Sequence, residues 1–183
     1  MRTIVLFIIF ILLAETGIAQ AGSRFQTYKS VMKISAFKNG ENHQWENKDV
    51  RVVVNYQTGE FTVKLDNRDF YQNQTNLPIV PDSMNTDREY TFKGILPIRE
   101  IINQKQINQQ YVFEAQLINY ELSLNNPVKF DITVTNPGTS QANYRIFMMH
   151  GKLYNNELNL PAFEGFDNEI EIWLAFNGYT ISN

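Results

Sequence analysis

The chain has no cysteine, two tryptophans, two histidines and charge on only 19% of its 183 residues. Without cysteine there is no disulfide framework, no thiolate metal site and no thiol nucleophile. It also lacks the acylated cysteine of a bacterial lipoprotein. With two histidines and no paired ligand spacing, His43 and His150 do not read as a zinc site; no metal and no cofactor are expected. Net charge is −3 and no run of Lys or Arg occurs, so the electrostatic footprint for nucleic acid and the polybasic membrane anchor are both missing. No Gly-rich phosphate loop or nucleophile elbow is present either.

What the chain does have is apolar and aromatic residues, 43% and 13% of the total, which suits a globular domain rather than a disordered one. Residues 1–21 stand apart. Arg2 gives a positive start, Ile4 to Ala14 an apolar run, and Gly17, Ala19 and Ala21 small residues before a cut, the pattern of a cleaved secretory signal. That run is shorter than the roughly 20 residues a spanning helix needs, and no later stretch could cross a membrane. A periplasmic or secreted product of residues 22–183, folded as one domain, is the expectation.

Beyond the signal the dominant pattern is alternation at period two. Tyr90, Phe92, Leu96 and Ile98 share one side of a segment in which Gly94 marks a bend or a close approach. Met32, Ile34 and Ala36 alternate with Lys33 and Ser35. Val50 to Tyr56 and Glu60 to Asp66, joined at Thr58-Gly59, read as a hairpin. Lys38 to Lys48 is polar, with an Asn39-Gly40 turn. Asn67 to Asp87 is a long irregular connection or a short helical turn. Glu100 to Asn108 is polar and is expected to pass over the surface. Phe113, Ala115 and Leu117 share a face before the phase slips to Tyr120, Leu122 and Leu124, which a bulge near Ile118 or Asn119 would explain. Val128 to Val134, Tyr144 to Leu153 and Glu169 to Phe176 complete about eight strands, with the last one closing the sheet. The predicted class is all-β: a single antiparallel barrel, which covers the apolar face and removes open edges. A two-sheet sandwich is the competing arrangement.

Four pieces in order, Met32-Lys-Ile-Ser-Ala-Phe37, Tyr56-Gln-Thr-Gly-Glu-Phe61, Tyr90-Thr-Phe-Lys-Gly94 and Asn168-Glu-Ile-Glu-Ile-Trp-Leu-Ala-Phe176, give a sequence that resembles the YceI-like family. The resemblance implies a lipocalin-like barrel holding a polyisoprenoid or other long-chain lipid, and a carrier rather than an enzyme. Asn76 to Asp87 does not reproduce the His-Phe-Asn segment common in that family, and a Gly-containing turn after Tyr111 to Tyr120 is missing.

The residues expected to face the interior, and so to line a lipid site, are Phe61, Val63, Phe92, Phe113, Phe130, Ile132, Ile146, Met148, Ile172 and Leu174. The same side chains could instead plug the barrel, because alternation is what any half-buried sheet requires. A secreted interaction module with a filled barrel and no ligand is therefore the alternative, with Trp173, Phe147 or the 67–87 segment as its contact surface. A hydrolase or isomerase at the barrel mouth is the third reading; it would need convergent polar groups, and Asp66, Asp69, Asp167, Glu169 and Glu171 read better as turn and solvent-face residues. A homodimer is left open. Asn73-Gln-Thr75 matches a glycosylation acceptor.

Overall fold

The computed structural model describes residues 24–26, 30–72, 79, 89–137 and 144–179. The signal segment, the acceptor at Asn73 and most of 73–88 lie outside them.

The described strands are β1 (Arg24–Gln26), β2 (Ser30–Lys38), β3 (Glu41–Asn47), β4 (Arg51–Asn55), β5 (Glu60–Asp66), β6 (Tyr71–Gln72), β7 (Glu89–Ile95), β8 (Asn108–Asn119), β9 (Leu124–Thr135), β10 (Tyr144–Tyr154) and β11 (Glu169–Tyr179). They form one antiparallel sheet in the order β1-β4-β5-β7-β8-β9-β10-β11-β2-β3-β6. The sheet must curl. β1 and β2 are first and ninth in that order, about 38 Å apart were the sheet flat, yet Gln26 and Ser30 are four Cα steps apart, a reach of roughly 15 Å. Across the seam so formed, the Ser30 hydroxyl donates to the Val50 carbonyl and Asn47 Nδ2 donates to the Asp66 carbonyl at 3.2 Å. β11 lies between β10 and β2, inside the sheet as expected of a closing strand.

The all-β class holds, and the strands number eleven rather than eight. β3 was hidden in the polar Lys38–Lys48 stretch because it is nearly an edge strand. It pairs with β2 along its length but with β6 only through Trp45 and Glu46, so only Trp45 and Asn47 are fully buried. The expected bulge near Asn119 is absent. β8 runs straight to Asn119, and the phase changes in the turn before Leu124, where Asn119 Oδ1 accepts the Leu122 N–H at 2.9 Å and Ser123 adopts a positive φ of 54°. Glu100 to Asn108 is likewise more than surface chain. Helix α1 (Ile98–Ile102) buries Ile98 and Ile101 across one end of the barrel, and Gln104 Nε2 ties the following loop to the carbonyls of Gln106, Ile107 and Val134.

The largest correction falls on β10. Phe147 and Met149 point inward, while Met148 is 49% exposed and Ile146 lies on the same outer side. Cross-strand partners share a face: Phe147 is opposite Val134 and Phe176, and Met149 is opposite Ile132 and Leu174, all of them buried. The two neighbouring strands thus set the parity of β10. Trp173 is on the outer face as expected, stacked at 5.0 Å on His150, its register partner.

Tyr56, at the end of β4, reaches over Gly178 of β11, where a Cβ would collide with its hydroxyl. Burial pushes the Tyr56 phenol up to about 12, with Arg145 opposing the shift. Below the ordinary tyrosine value of about 10 both folded and unfolded chains keep the proton. Above it the unfolded chain ionises first, so stability falls as pH rises towards 12. Denaturant melts between pH 9 and 12 are expected to show an alkaline loss of which Tyr56→Phe removes roughly 2–3 kcal/mol.

Candidate functional site

The registers divide the interior into two halves. At the end closed by α1, six phenylalanines form a continuous ring network. Phe92 meets Phe130 at 5.6 Å, Phe130 meets Phe113 at 5.6 Å, Phe113 meets Phe61 at 5.5 Å, Phe61 meets Phe176 at 6.1 Å, and Phe176 stacks on Phe147 at 4.6 Å. Gly151 makes room for this network, since a Cβ there would come within 2.7 Å of the Phe130 ring. This half is a filled core. Phe61, Val63, Phe113, Phe130, Ile132 and Leu174, six of the ten candidate residues, are buried and do not line the cleft in the other half.

The other half contains a cleft. Its walls are Met32 and Ile34 of β2, Leu65 of β5, Tyr90 and Phe92 of β7, Leu117 of β8, Leu153 of β10, and Ile170 and Ile172 of β11. Of the candidate residues, Phe92 and Ile172 are brought together here, and Ile146 and Met148 are excluded by the parity of β10.

A cap closes the cleft. It consists of helix α2 (Asn155–Leu158) and the 3-10 turn Pro161–Phe163, which contribute Leu160, Ala162 and Phe163 to the lining. Phe70 and Ile79 complete the roof, held together by the Ile79 N–H donating to the Phe70 carbonyl at 3.0 Å. At its base the cap is fastened through the Asn155 N–H to the Asn168 carbonyl at 2.8 Å and the Asp167 N–H to the Phe37 carbonyl at 2.7 Å. Between those points the backbone bonds of Asn159, Phe163, Glu164 and Phe166 stay inside the cap. Its adhesion to the barrel is therefore chiefly apolar contact by Leu158, Leu160 and Phe163. Trp45 of β3 touches the cap edge-on, 6.0 Å from Phe163 and 5.7 Å from Phe166.

Among the described residues no charged side chain lines the cleft, and its free volume is about 50 Å³. An apolar cavity of about 150 Å³ holds one benzene ring, so the closed cleft seats only a few carbon atoms. A longer chain would need the cap to lift. Sequence reasoning missed the cap and Asn67 because neither shows period-two alternation. The signal available was the apolar spacing of Leu158, Leu160 and Phe163 around Pro161 in an otherwise polar connection.

No known protein family and no curated protein matches the sequence. The fold, by contrast, matches solved structures. A polyisoprenoid binding domain from Saccharophagus degradans, implicated in plant cell wall breakdown, superposes with a TM-score of 0.66 at 8% identity, covering 85% of this chain and 98% of that one. BcnA of Burkholderia cenocepacia superposes with a TM-score of 0.55 at 14% identity, covering 81% and 96%. The chain therefore has the all-β, lipocalin-like barrel fold of these proteins.

Proposed function

We propose that this chain is an exported binding protein that takes up one long apolar chain, a polyisoprenoid or another long-chain lipid, in the capped half of its barrel. The observation that carries the reading is the cleft itself: an interior space lined by no charged side chain among the described residues, roofed by a segment bonded mainly to itself. The fold shared with a polyisoprenoid binding domain supports it. Each buried methylene contributes about 0.8 kcal/mol, so some fifteen carbons supply on the order of 12 kcal/mol gross against the cost of lifting the cap and ordering the ligand. Binding rather than catalysis is the role this reading assigns, because among the described residues the lining offers one amide and one phenol. Residues 1–21 would direct export to the periplasm or medium, and the mature chain would stay out of the bilayer.

The test is native mass spectrometry of the full chain purified gently from an exporting host, with solvent extraction of what it carries. One apolar passenger per chain is expected. Added long-chain lipid should also change the emission of Trp45, which touches the cap, in a Trp173→Phe background where it is the sole tryptophan. Empty protein that takes up no added lipid would overturn the proposal and favour the second reading, a filled interaction module, for which the ring-packed half and the small resting cleft speak.

A further inference from the structure

Among the apolar walls of the cleft stands one amide. Asn67 is 8% exposed, and its Oδ1 finds no donor among the described residues. Leaving a buried acceptor unpaired is costly, and a leucine would fill such a wall without that cost.

Its position is held on several sides. Asn67 opens a 3-10 turn whose preceding residue, Asp66, accepts the Arg68 N–H at 2.9 Å. The Arg68 guanidinium grips the same carboxylate through Nε at 2.9 Å and Nη2 at 2.5 Å. Asn47 Nδ2 donates to the Asp66 carbonyl at 3.2 Å from across the seam. The residue before Asn67 is thus fixed by its side chain and its backbone, and the amide is set into the cleft wall.

Resting on the lipid-binding reading above, we propose that Asn67 selects the polar end of the ligand, and that this end is a neutral hydroxyl rather than a phosphate or carboxylate. A neutral amide can exchange hydrogen bonds with a hydroxyl but brings no charge to balance an anion. Among the described residues no Lys, Arg or His lines the cleft, and the nearby Arg68 is committed to Asp66. An anionic head buried here would lack a counter-charge, which is strongly unfavourable. A plain hydrocarbon would leave Oδ1 as orphaned as it is in the empty protein.

The test compares dodecan-1-ol, dodecane and dodecyl phosphate on the full chain by Trp45 emission in the Trp173→Phe background. The alcohol is expected to bind about tenfold tighter than the alkane, and the phosphate weaker than the alcohol. Asn67→Leu should abolish the preference, so that the alcohol and the alkane bind alike in the variant. Equal binding of alcohol and alkane, tighter binding of the phosphate, or a preference that survives Asn67→Leu would overturn the assignment while leaving the lipid-binding reading standing. Failure of all three ligands to bind would overturn both. If Asn67→Leu does not fold, Asn67→Ala supplies the same comparison, and a preference that survives it overturns the assignment.

Discussion

Phe147→Ala is expected to destabilise the protein by about 3–5 kcal/mol, whereas Met148→Ala, one residue on, should stay within about 0.5 kcal/mol of the parent. Phe147 is fully buried and stacked at 4.6 Å on Phe176 with the ring planes 4° apart. It also packs against Gly178, where a Cβ would come within 2.8 Å of its ring. The β8–β11 framework leaves little freedom to collapse onto the space an alanine would open, so lost transfer energy and an unfilled cavity add together. Met148 lies half in solvent on the opposite face and leaves no void when truncated. In thermal melts the first change should lower the midpoint by roughly 10 °C and the second should barely move it. Equal losses at both positions would mean that the parity assigned to β10 is wrong.

The second large effect is on binding. Ala162→Trp is expected to reduce the recovered passenger about tenfold or more while the barrel stays folded. Ala162 is half-buried on the underside of the cap and borders the cleft, so an indole there projects into a space of about 50 Å³ that the ligand's first carbons would otherwise use. Overpacking inside the barrel costs about 1–3 kcal/mol. At the cap the cost should sit at the low end, because the backbone bonds of Asn159 to Phe166 close within the cap and let it adjust. Native mass spectrometry reads the passenger and a thermal melt reads the fold. An unchanged passenger load in Ala162→Trp would place the lipid elsewhere, and a collapse of stability with the load retained would make the cap part of the core.

The two substitutions also mark where sequence reading succeeds and where it stops. Strands with one apolar parity were readable. In β11, Ile170, Ile172, Leu174 and Phe176 alternate with Glu169, Glu171 and Trp173, and all four are buried. β10 offered two apolar parities, Ile146 with Met148 and Phe147 with Met149. The deciding signal lay further along the strand, where Leu153 shares the parity of Phe147 while His150 and Lys152 share that of Met148. β3 was unreadable by alternation because a near-edge strand needs few buried residues, and it has one aromatic. Trp173, odd by the pattern of its strand, is accounted for by the His150 ring that only strand pairing places beside it.

The candidate site was legible in kind but not in place. Alternation identifies the apolar lining of a curled sheet as a set, and ring packing then divides that set. Large aromatic side chains from six strands meet and fill one half, leaving Phe92 and Ile172 at the border of what stays open.

By itself the sequence determined an all-β chain with an apolar inner face, since period-two alternation is a local property of each strand. It likewise determined the absence of thiol chemistry and of a basic surface. The tertiary structure alone decided that α1 closes one end and a self-bonded cap the other, and that a single amide is fixed in a wall where no described residue is charged. Those features depend on residues far apart in the chain meeting across the barrel, as Asn47 meets Asp66 and Trp45 meets Phe163, and no local periodicity encodes such meetings.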